Sequence, residues 1–230
     1  MTFDILNSDT GSEPAESYRL HLPAATANDL AGPSVEPSLV YGFGDPDNGF
    51  GGGWRLSFTS YDFATRTLRY GREQLVLDIP GEAPELRLTR TGDTLRLMHR
   101  SGLVEILSPA EGPETALVSQ THAPSGGSIS YTYSDERCLN GIFDDQSSQI
   151  MRIEHGSDQV RFVYPQGATD QFTATLTLHD GLLTTATFAP GEDATWSFTY
   201  KDGQLATVRE PHGYVVVYEN GKRASVRLSD

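Results

Sequence analysis

One short unit recurs near the C-terminal end of the sequence, and it limits the possible folds more than any other feature. The segments 198–208 and 216–226 carry tyrosine, glycine and valine at matching positions, at a shift of 18 residues. A weaker copy lies at 176–186, and a fourth, one residue longer, begins at Tyr131. A short period of this kind is typical of a small structural unit that stacks on copies of itself.

Each copy of the unit has the chemistry of a β-hairpin. Asp202-Gly203 and Asn220-Gly221 are residue pairs that accept the positive φ values of a type I′ turn. The residues on either side alternate in polarity, so that one face of the hairpin at 196–208 carries Trp196, Phe198, Tyr200 and Leu205. A lone hairpin cannot bury such a face and is marginal in water. We therefore expect successive hairpins to lie side by side in a continuing sheet.

The rest of the chain also favours an all-β fold, a curved or spiralling antiparallel sheet of consecutive hairpins. Abundant aromatic residues and glycines suit strands joined by tight turns, and no run has the 3.6-residue periodicity of a long helix. Thr94–His99 and Leu103–Leu107 are predicted to pair across Arg100-Ser101-Gly102. The segments predicted as further strands are 18–22, 38–41, 54–58, 66–70, 73–77 and 85–89.

The predicted domain organisation is simple. Residues 1–17 are polar and acidic, and we expect a flexible lead there. Residues 18–230 are predicted to form a single β-repeat domain, with an N-terminal region at 18–122 and hairpin repeats at 123–230.

Charge and composition exclude several classes of partner. The formal net charge of −14 repels phosphate polymers and anionic membrane surfaces, so nucleic acid and membrane insertion are not expected. Cys138 is the single cysteine, so no intrachain disulfide can form, and we interpret it as a buried structural thiol. The first residues lack the basic and apolar regions of a secretory signal, and no run reaches transmembrane length. Cytoplasmic synthesis with export by a non-classical route is the expectation that follows.

Several stretches of the sequence resemble a known protein family. The unit Tyr-x-x-Gly-x-Leu-x-x-Val at 200–208 is similar to the YD repeat of RHS proteins. The earlier part of the chain resembles the N-terminal part of bacterial RHS-type proteins, in the stretches 20–23, 28–33, 47–51, 53–56, 61–68 and 100–105. The similarity extends over nearly the whole chain after residue 17.

The resemblance implies a spiralling sheet that in long members forms a hollow shell around a toxic C-terminal domain. Such shells occur in polymorphic toxins and in the B and C components of insecticidal toxin complexes, and members are often described as sugar-binding. This sequence ends at Asp230, directly after its second clear repeat, and lacks the Asp-Pro-rich segment that supplies the self-cleaving aspartates. Neither autoproteolysis nor a toxin payload is therefore carried over.

A size estimate separates a container from a smaller scaffold. A strand residue covers roughly 16 Å² of sheet, so the whole chain would cover on the order of 3,600 Å². Enclosing a domain of about 100 residues needs a sphere of roughly 6,000 Å² at the sheet midline. The chain is too short to enclose such a cargo, which leaves a shell segment, a plug or a small relative that closes on itself.

The polar residues give no strong catalytic or metal-binding pattern. Asp45, Asp47 and Gly49 resemble the start of a calcium loop, but Phe50 and Leu56 stand where further oxygen ligands are needed, so we predict a turn. Asp144-Asp145 and the loop around Ser125 are also interpreted as turns. The histidines are scattered, at positions 21, 99, 122, 155, 179 and 212. We therefore predict no catalytic, cofactor-binding or metal-binding residues.

The predicted function is a non-catalytic shell segment or scaffold of a bacterial toxin system. Its partner would be another protein chain, such as a shell partner, a toxin or an immunity-type protein, or a second copy bound through an open edge near Val215–Val217. The alternative is a carbohydrate-binding β module, in which exposed aromatic residues such as Tyr214 stack on sugar rings and the fluorescence of Trp54 or Trp196 changes on binding. An enzyme would need polar residues that converge from separate strands.

Overall fold

The computed structural model describes residues 18–27, 32–43, 45, 47–71, 73–110, 114–134, 138–165, 172–189, 194–219 and 222–228. Within these ranges the chain contains strands and no helix, which confirms the all-β prediction. The predicted lead at 1–17, the turn at Asn220-Gly221 and the stretch 28–31 lie outside them. No helix in the described ranges is long and apolar enough to span a membrane.

The strands are β1 (Arg19–His21), β2 (Ala25–Thr26), β3 (Ser34–Val35), β4 (Ser38–Tyr41), β5 (Trp54–Leu56), β6 (Ser60–Asp62), β7 (Thr67–Tyr70), β8 (Glu73–Val76), β9 (Gly81–Ala83), β10 (Leu86–Thr91), β11 (Thr94–His99), β12 (Val104–Pro109), β13 (Thr115–His122), β14 (Ser128–Tyr133), β15 (Leu139–Asp144), β16 (Gln149–His155), β17 (Gln159–Tyr164), β18 (Phe172–His179), β19 (Leu182–Ala189), β20 (Thr195–Lys201), β21 (Gln204–Arg209), β22 (Tyr214–Glu219) and β23 (Lys222–Leu228). The two-residue strands β2 and β3 are not among the strands predicted from the sequence.

Most of the protein is one open antiparallel sheet of 18 strands, β6 to β23. From β9 to β23 each strand pairs with the next one along the chain. The predicted pairing across residues 100–102 is confirmed, because Leu95 lies opposite Leu107. A separate three-stranded sheet has the order β1-β4-β5, and β2 pairs with β3.

The hairpin turns have the backbone conformation that their sequence predicts. Asp202 and Gly203 have φ values of 53° and 76°, and Asp180 and Gly181 have values of 50° and 73°. Positive φ at both central residues is the requirement of a type I′ turn. Successive hairpins are joined by the pairs β19–β20 and β21–β22, so the predicted side-by-side stacking is confirmed.

Strand β13 is the point at which the sheet branches. Its first residues, Thr115–Leu117, pair with β6, and its last residues, Gln120–His122, pair with β14. Strand β12 covers its other edge. One long strand therefore connects the meander β6–β8 to the row of repeat hairpins. We call β13–β23 the repeat sheet.

The buried side chains form two cores. The first combines residues of the repeat sheet with residues between Tyr18 and Trp54. The second lies among β6–β13 and includes Tyr61, Leu68, Leu88, Leu97 and Leu107. The division of the domain at residue 122 stays a prediction. One core contains side chains from 18–54 and from 118–218, and the other contains side chains from 61–116.

The open edge of the repeat sheet is one strand further along than the sequence suggested. Val215–Val217 belong to β22, which pairs with β21 on one side and with β23 on the other. The prediction of an unpaired edge at Val215–Val217 is wrong, because residues 222–228 form a strand that pairs with β22. Among the described residues β23 has a single ladder partner, so β23 is the edge.

Candidate functional site

The inner face of the repeat sheet, which carries Phe198, Leu205 and Val208, is covered by the chain's own N-terminal part. We call residues 18–58 the N-terminal segment. Its buried side chains include Leu20, Tyr41 and Trp54, and they share one core with those of β13–β22. A curved sheet can hold a ligand or cargo on its inner face, but here that face is occupied by a segment of the same protein.

Three aromatic rings form the centre of this contact. Trp54 has an exposed fraction of 0%, and its ring lies edge-on to Phe198 with centroids 5.0 Å apart. Tyr18 completes the group, at 6.3 Å from Trp54 and 6.2 Å from Phe198. Edge-to-face pairs at these distances add to the stability that burial of the rings provides. Within the aromatic stripe predicted for the hairpin at 196–208, Phe198 is therefore buried in the shared core, and Trp196 and Tyr200 are partly buried against it.

Hydrogen bonds fix the orientation of the N-terminal segment on the repeat sheet. Trp54 Nε1 donates to the hydroxyl of Tyr200 at 2.9 Å, and this hydroxyl donates to the carbonyl of Leu183 at 2.8 Å. In the other direction, the backbone N–H of Leu205 donates to the hydroxyl of Tyr41 at 2.9 Å. The repeat tyrosine at position 200 thus contacts a polar group of the segment, and Tyr218 lies in the same core.

A glycine-rich loop makes the closest backbone contact between the two parts. Gly51 has a φ of 93°, and a Cβ placed on it would lie 2.7 Å from the backbone nitrogen of Leu183. The next residue, Gly52, donates its N–H to the carbonyl of Gly181 at 2.8 Å. Glycine is required at position 51 both by the positive φ and by the neighbouring backbone.

The two carboxylates that resemble the start of a calcium loop have partners in this loop and in β5. Asp45 lies 3.4 Å from Nε of Arg55. Burial lowers the pKa of Arg55, and the nearby Asp45 opposes this effect. Asp47 Oδ1 accepts N–H groups from Gly49 at 2.8 Å and from Gly51 at 3.2 Å. These contacts stabilise the turn that the sequence predicts.

A second group of bonded polar side chains, formed by Glu105, Thr59 and His99, was not found from the sequence. Glu105 is buried, with an exposed fraction of 9%. Its carboxylate oxygens lie 2.9 and 3.0 Å from the hydroxyl of Thr59, and one of them lies 2.9 Å from Nε2 of His99. No sequence pattern marks this group, because its members come from β11, β12 and the residue before β6.

Replacing Glu105 by alanine is expected to lower the free energy of unfolding by about 2 kcal/mol, since it leaves the groups of Thr59 and His99 without an acceptor. Urea unfolding measures this change. Glu85→Ala is the matched control, because that carboxylate is paired with Arg100 on the surface and its loss should cost under about 0.5 kcal/mol. Equal losses in the two variants would contradict the structural role of Glu105.

Burial raises the pKa of several tyrosines, a set comprising Tyr18, Tyr131, Tyr133, Tyr164 and Tyr200. The neutral phenol is favoured in the folded protein, whereas the unfolded chain ionises near about pH 10. Stability should therefore be intact below pH 10 and fall as the pH rises above it. We expect tyrosinate absorbance and loss of near-ultraviolet circular dichroism to appear together. Ionisation of the five buried tyrosines near pH 10 with an unchanged dichroism signal would contradict this expectation.

The remaining residues singled out in the sequence lie at separate places. Asp144 Oδ1 accepts N–H groups from Gln146 and Ser148 at 3.0 and 2.7 Å, as expected for a turn. Ser125 is exposed in a turn between β13 and β14. Cys138 is partly exposed rather than fully buried, and its Sγ lies 3.8 Å from the carbonyl of Asn48.

The histidines do not converge. His155 contacts the carbonyl of Leu139, and His179 lies beside Asp180 on the surface. His122 and His212 are exposed. No group of three or more metal-ligating side chains occurs in the described ranges.

The aromatic residues named for the carbohydrate-binding alternative differ in their accessibility. Trp54 is fully buried, and Trp196 packs on Phe188 with centroids 4.7 Å apart. Tyr214 is 46% exposed and lies opposite Leu228 of the edge strand. Trp54 therefore does not lie at the surface, and Tyr214 lies beside the open edge.

No protein-family model matches the sequence, and no curated protein matches it. A porin-like protein from Bacteroides uniformis ATCC 8492 aligns over 94% of this chain and 95% of its own, at 14% identity and a TM-score of 0.40. The N-terminal domain of effector protein SpvB from Salmonella typhimurium strain LT2 aligns over 89% of this chain and 99% of its own, at 14% identity and a TM-score of 0.43. TcdB2-TccC3 aligns over 94% of this chain and 16% of its own, at 12% identity and a TM-score of 0.39. At TM-scores below 0.5, none of them identifies the family of this chain.

Proposed function

We propose that this protein is a non-catalytic β-repeat scaffold of the RHS type that serves a bacterial toxin system by binding another protein chain. The observation that carries the proposal is the single core shared by the N-terminal segment and the repeat sheet. In a hollow shell the inner face would be directed at cargo. Here Trp54, Tyr41 and Leu20 occupy it, which supports a filled scaffold.

The polar groups of the described residues favour a structural role over a catalytic one. Asp45, Asp47 and Asp144 hold turns, and Glu105 is bonded to Thr59 and His99. A nucleophile needs an adjacent base and a third group that orients it. The hydroxyl groups of Thr59 and Tyr200 instead donate hydrogen bonds to Glu105 and to the carbonyl of Leu183, and these bonds stabilise the fold.

The open edge supports a protein as the partner. Within the described part of the chain, β23 pairs with β22 on one side and with no strand on the other, and such an edge is a template for an added strand. Soluble proteins often cover such an edge with another element, because an uncovered edge can associate with other chains. A scaffold that functions within a larger assembly can use such an open edge to bind its partner.

Co-expression with the protein chains encoded beside it tests the proposal. We expect one of them to co-elute with this chain in a stoichiometric complex on gel filtration, and hydrogen exchange of the complex to show new protection on this chain. Assays with ester, peptide and glycoside substrates should show no turnover above buffer. Turnover that is lost on substitution of a polar residue, or the absence of a complex with every neighbouring chain, would contradict the proposal.

A further inference from the structure

Strand β23 differs from every other strand of the repeat sheet in its exposure. All seven of its residues are exposed, whereas β22 next to it buries Val215, Val216 and Tyr218. Val226 lies opposite the buried Val216, yet it is 43% exposed, and Leu228 is 66% exposed. The row of apolar side chains on the inner face thus extends from β22 onto β23. None of the described residues covers β23.

The same strand carries a positive charge on a strongly acidic protein. Lys222, Arg223 and Arg227 lie within its seven residues, which include no Asp or Glu. The whole chain has 17 basic and 31 acidic residues. Glu219 lies opposite Lys222 on β22, but none of the ion pairs in the described ranges includes a residue of β23.

We infer that β23 is the docking edge for an acidic, extended segment of another protein, which adds to the sheet as a further strand. The inference rests on the proposed function and names the chemistry of its partner. Backbone groups of the edge would bind the segment, as in other cases of strand addition. Carboxylates on one face of the segment would lie beside Arg227, and apolar residues on its other face would cover Val226.

Charge argues against a second copy of this chain at the same edge. Two β23 strands paired with each other would bring arginine and lysine side chains together, and like charges on adjacent strands are unfavourable. Nucleic acid is also a poor occupant, because it offers no row of peptide groups to an open ladder. A polyanion that extends past β23 would in addition meet the acidic remainder of the protein.

The test uses the full chain and a labelled, end-blocked peptide in which glutamate alternates with valine. Fluorescence anisotropy should show binding that weakens as salt is added, since the cations of β23 are exposed and screened by salt. Arg223→Glu/Arg227→Glu should weaken binding at least about tenfold. Arg96→Glu/Lys201→Glu makes the same change in net charge on exposed residues of other strands and should leave binding within about twofold.

Two further peptides separate strand addition from simple charge attraction. The lysine–valine version should not bind. The glutamate–valine peptide with N-methylated backbone keeps its charge but cannot donate to the ladder, and it should bind at least about tenfold more weakly.

The inference is overturned if the acidic peptide does not bind, if its N-methylated form binds equally well, or if the control variant loses as much affinity as the β23 variant. A dimer of the free protein that Arg223→Glu/Arg227→Glu dissolves would overturn it too, because a second copy would then be the occupant. A complex with a neighbouring chain that survives the β23 substitutions would leave the proposed function intact and refute this inference alone.

Discussion

Replacing Trp54 by alanine is expected to lower the free energy of unfolding by about 4 kcal/mol, because it removes a large side chain from a filled core. It also removes the N–H group that donates to the hydroxyl of Tyr200. The N-terminal segment should then detach from the repeat sheet before the sheet unfolds. Urea unfolding measures the loss, and limited proteolysis should show early cleavage within residues 18–58.

Two comparison variants show which part of the effect comes from packing. Trp54→Phe retains much of the ring packing but loses the hydrogen bond, so a loss of about 1–2 kcal/mol is expected. Trp196→Ala removes the other tryptophan, which is partly buried, and should cost less than Trp54→Ala. If the two alanine variants were equally stable, the N-terminal segment would not be an essential part of the core.

Gly51→Ala is expected to destabilise the protein by about 3 kcal/mol, for two reasons that act together. The φ of 93° is unfavourable for a residue with a Cβ, and that Cβ would lie 2.7 Å from the backbone nitrogen of Leu183. A backbone atom in a paired strand cannot move away as a flexible side chain could. Thermal and urea unfolding of the variant measure the loss.

Gly203→Ala is the matched control for the loop contact. Gly203 has a φ of 76°, and a Cβ on it would have no neighbour within 4 Å. Its substitution should therefore cost only the strain of a positive φ for a residue with a Cβ, about 1 kcal/mol. The difference between the two variants measures the close approach of the loop to β19. Equal losses would mean that positive φ alone explains the glycine at position 51.

The hairpins could be predicted because their determinants are local. Asp202-Gly203 encodes the turn, and the alternation around it encodes the buried face, so Phe198 and Leu205 lie in the core as expected. The strand Thr94–His99 has the predicted bounds. Where the pattern is only two residues long, as in β2 and β3, no periodicity exists to detect.

The candidate site was less accessible to sequence reasoning, because its parts are far apart in the chain. Trp54 and Tyr200 are separated by 146 residues, and Thr59 and Glu105 by 46. The glycines within 49–53 indicated a turn. Their second role, as a contact surface for β19, depends on which strand lies beside the loop. A dense glycine run beside a tryptophan is the one signal in the sequence that could have indicated this close packing.

By itself, the sequence determined the all-β class, the type I′ turns and the side-by-side stacking of hairpins, because turn chemistry and period-two alternation act over a few residues. Only the tertiary structure decided that residues 18–58 fill the inner face of the repeat sheet and that β23, rather than β22, is its open edge. Both outcomes depend on which apolar faces meet across long separations in the chain. Local propensity carries no information about that choice.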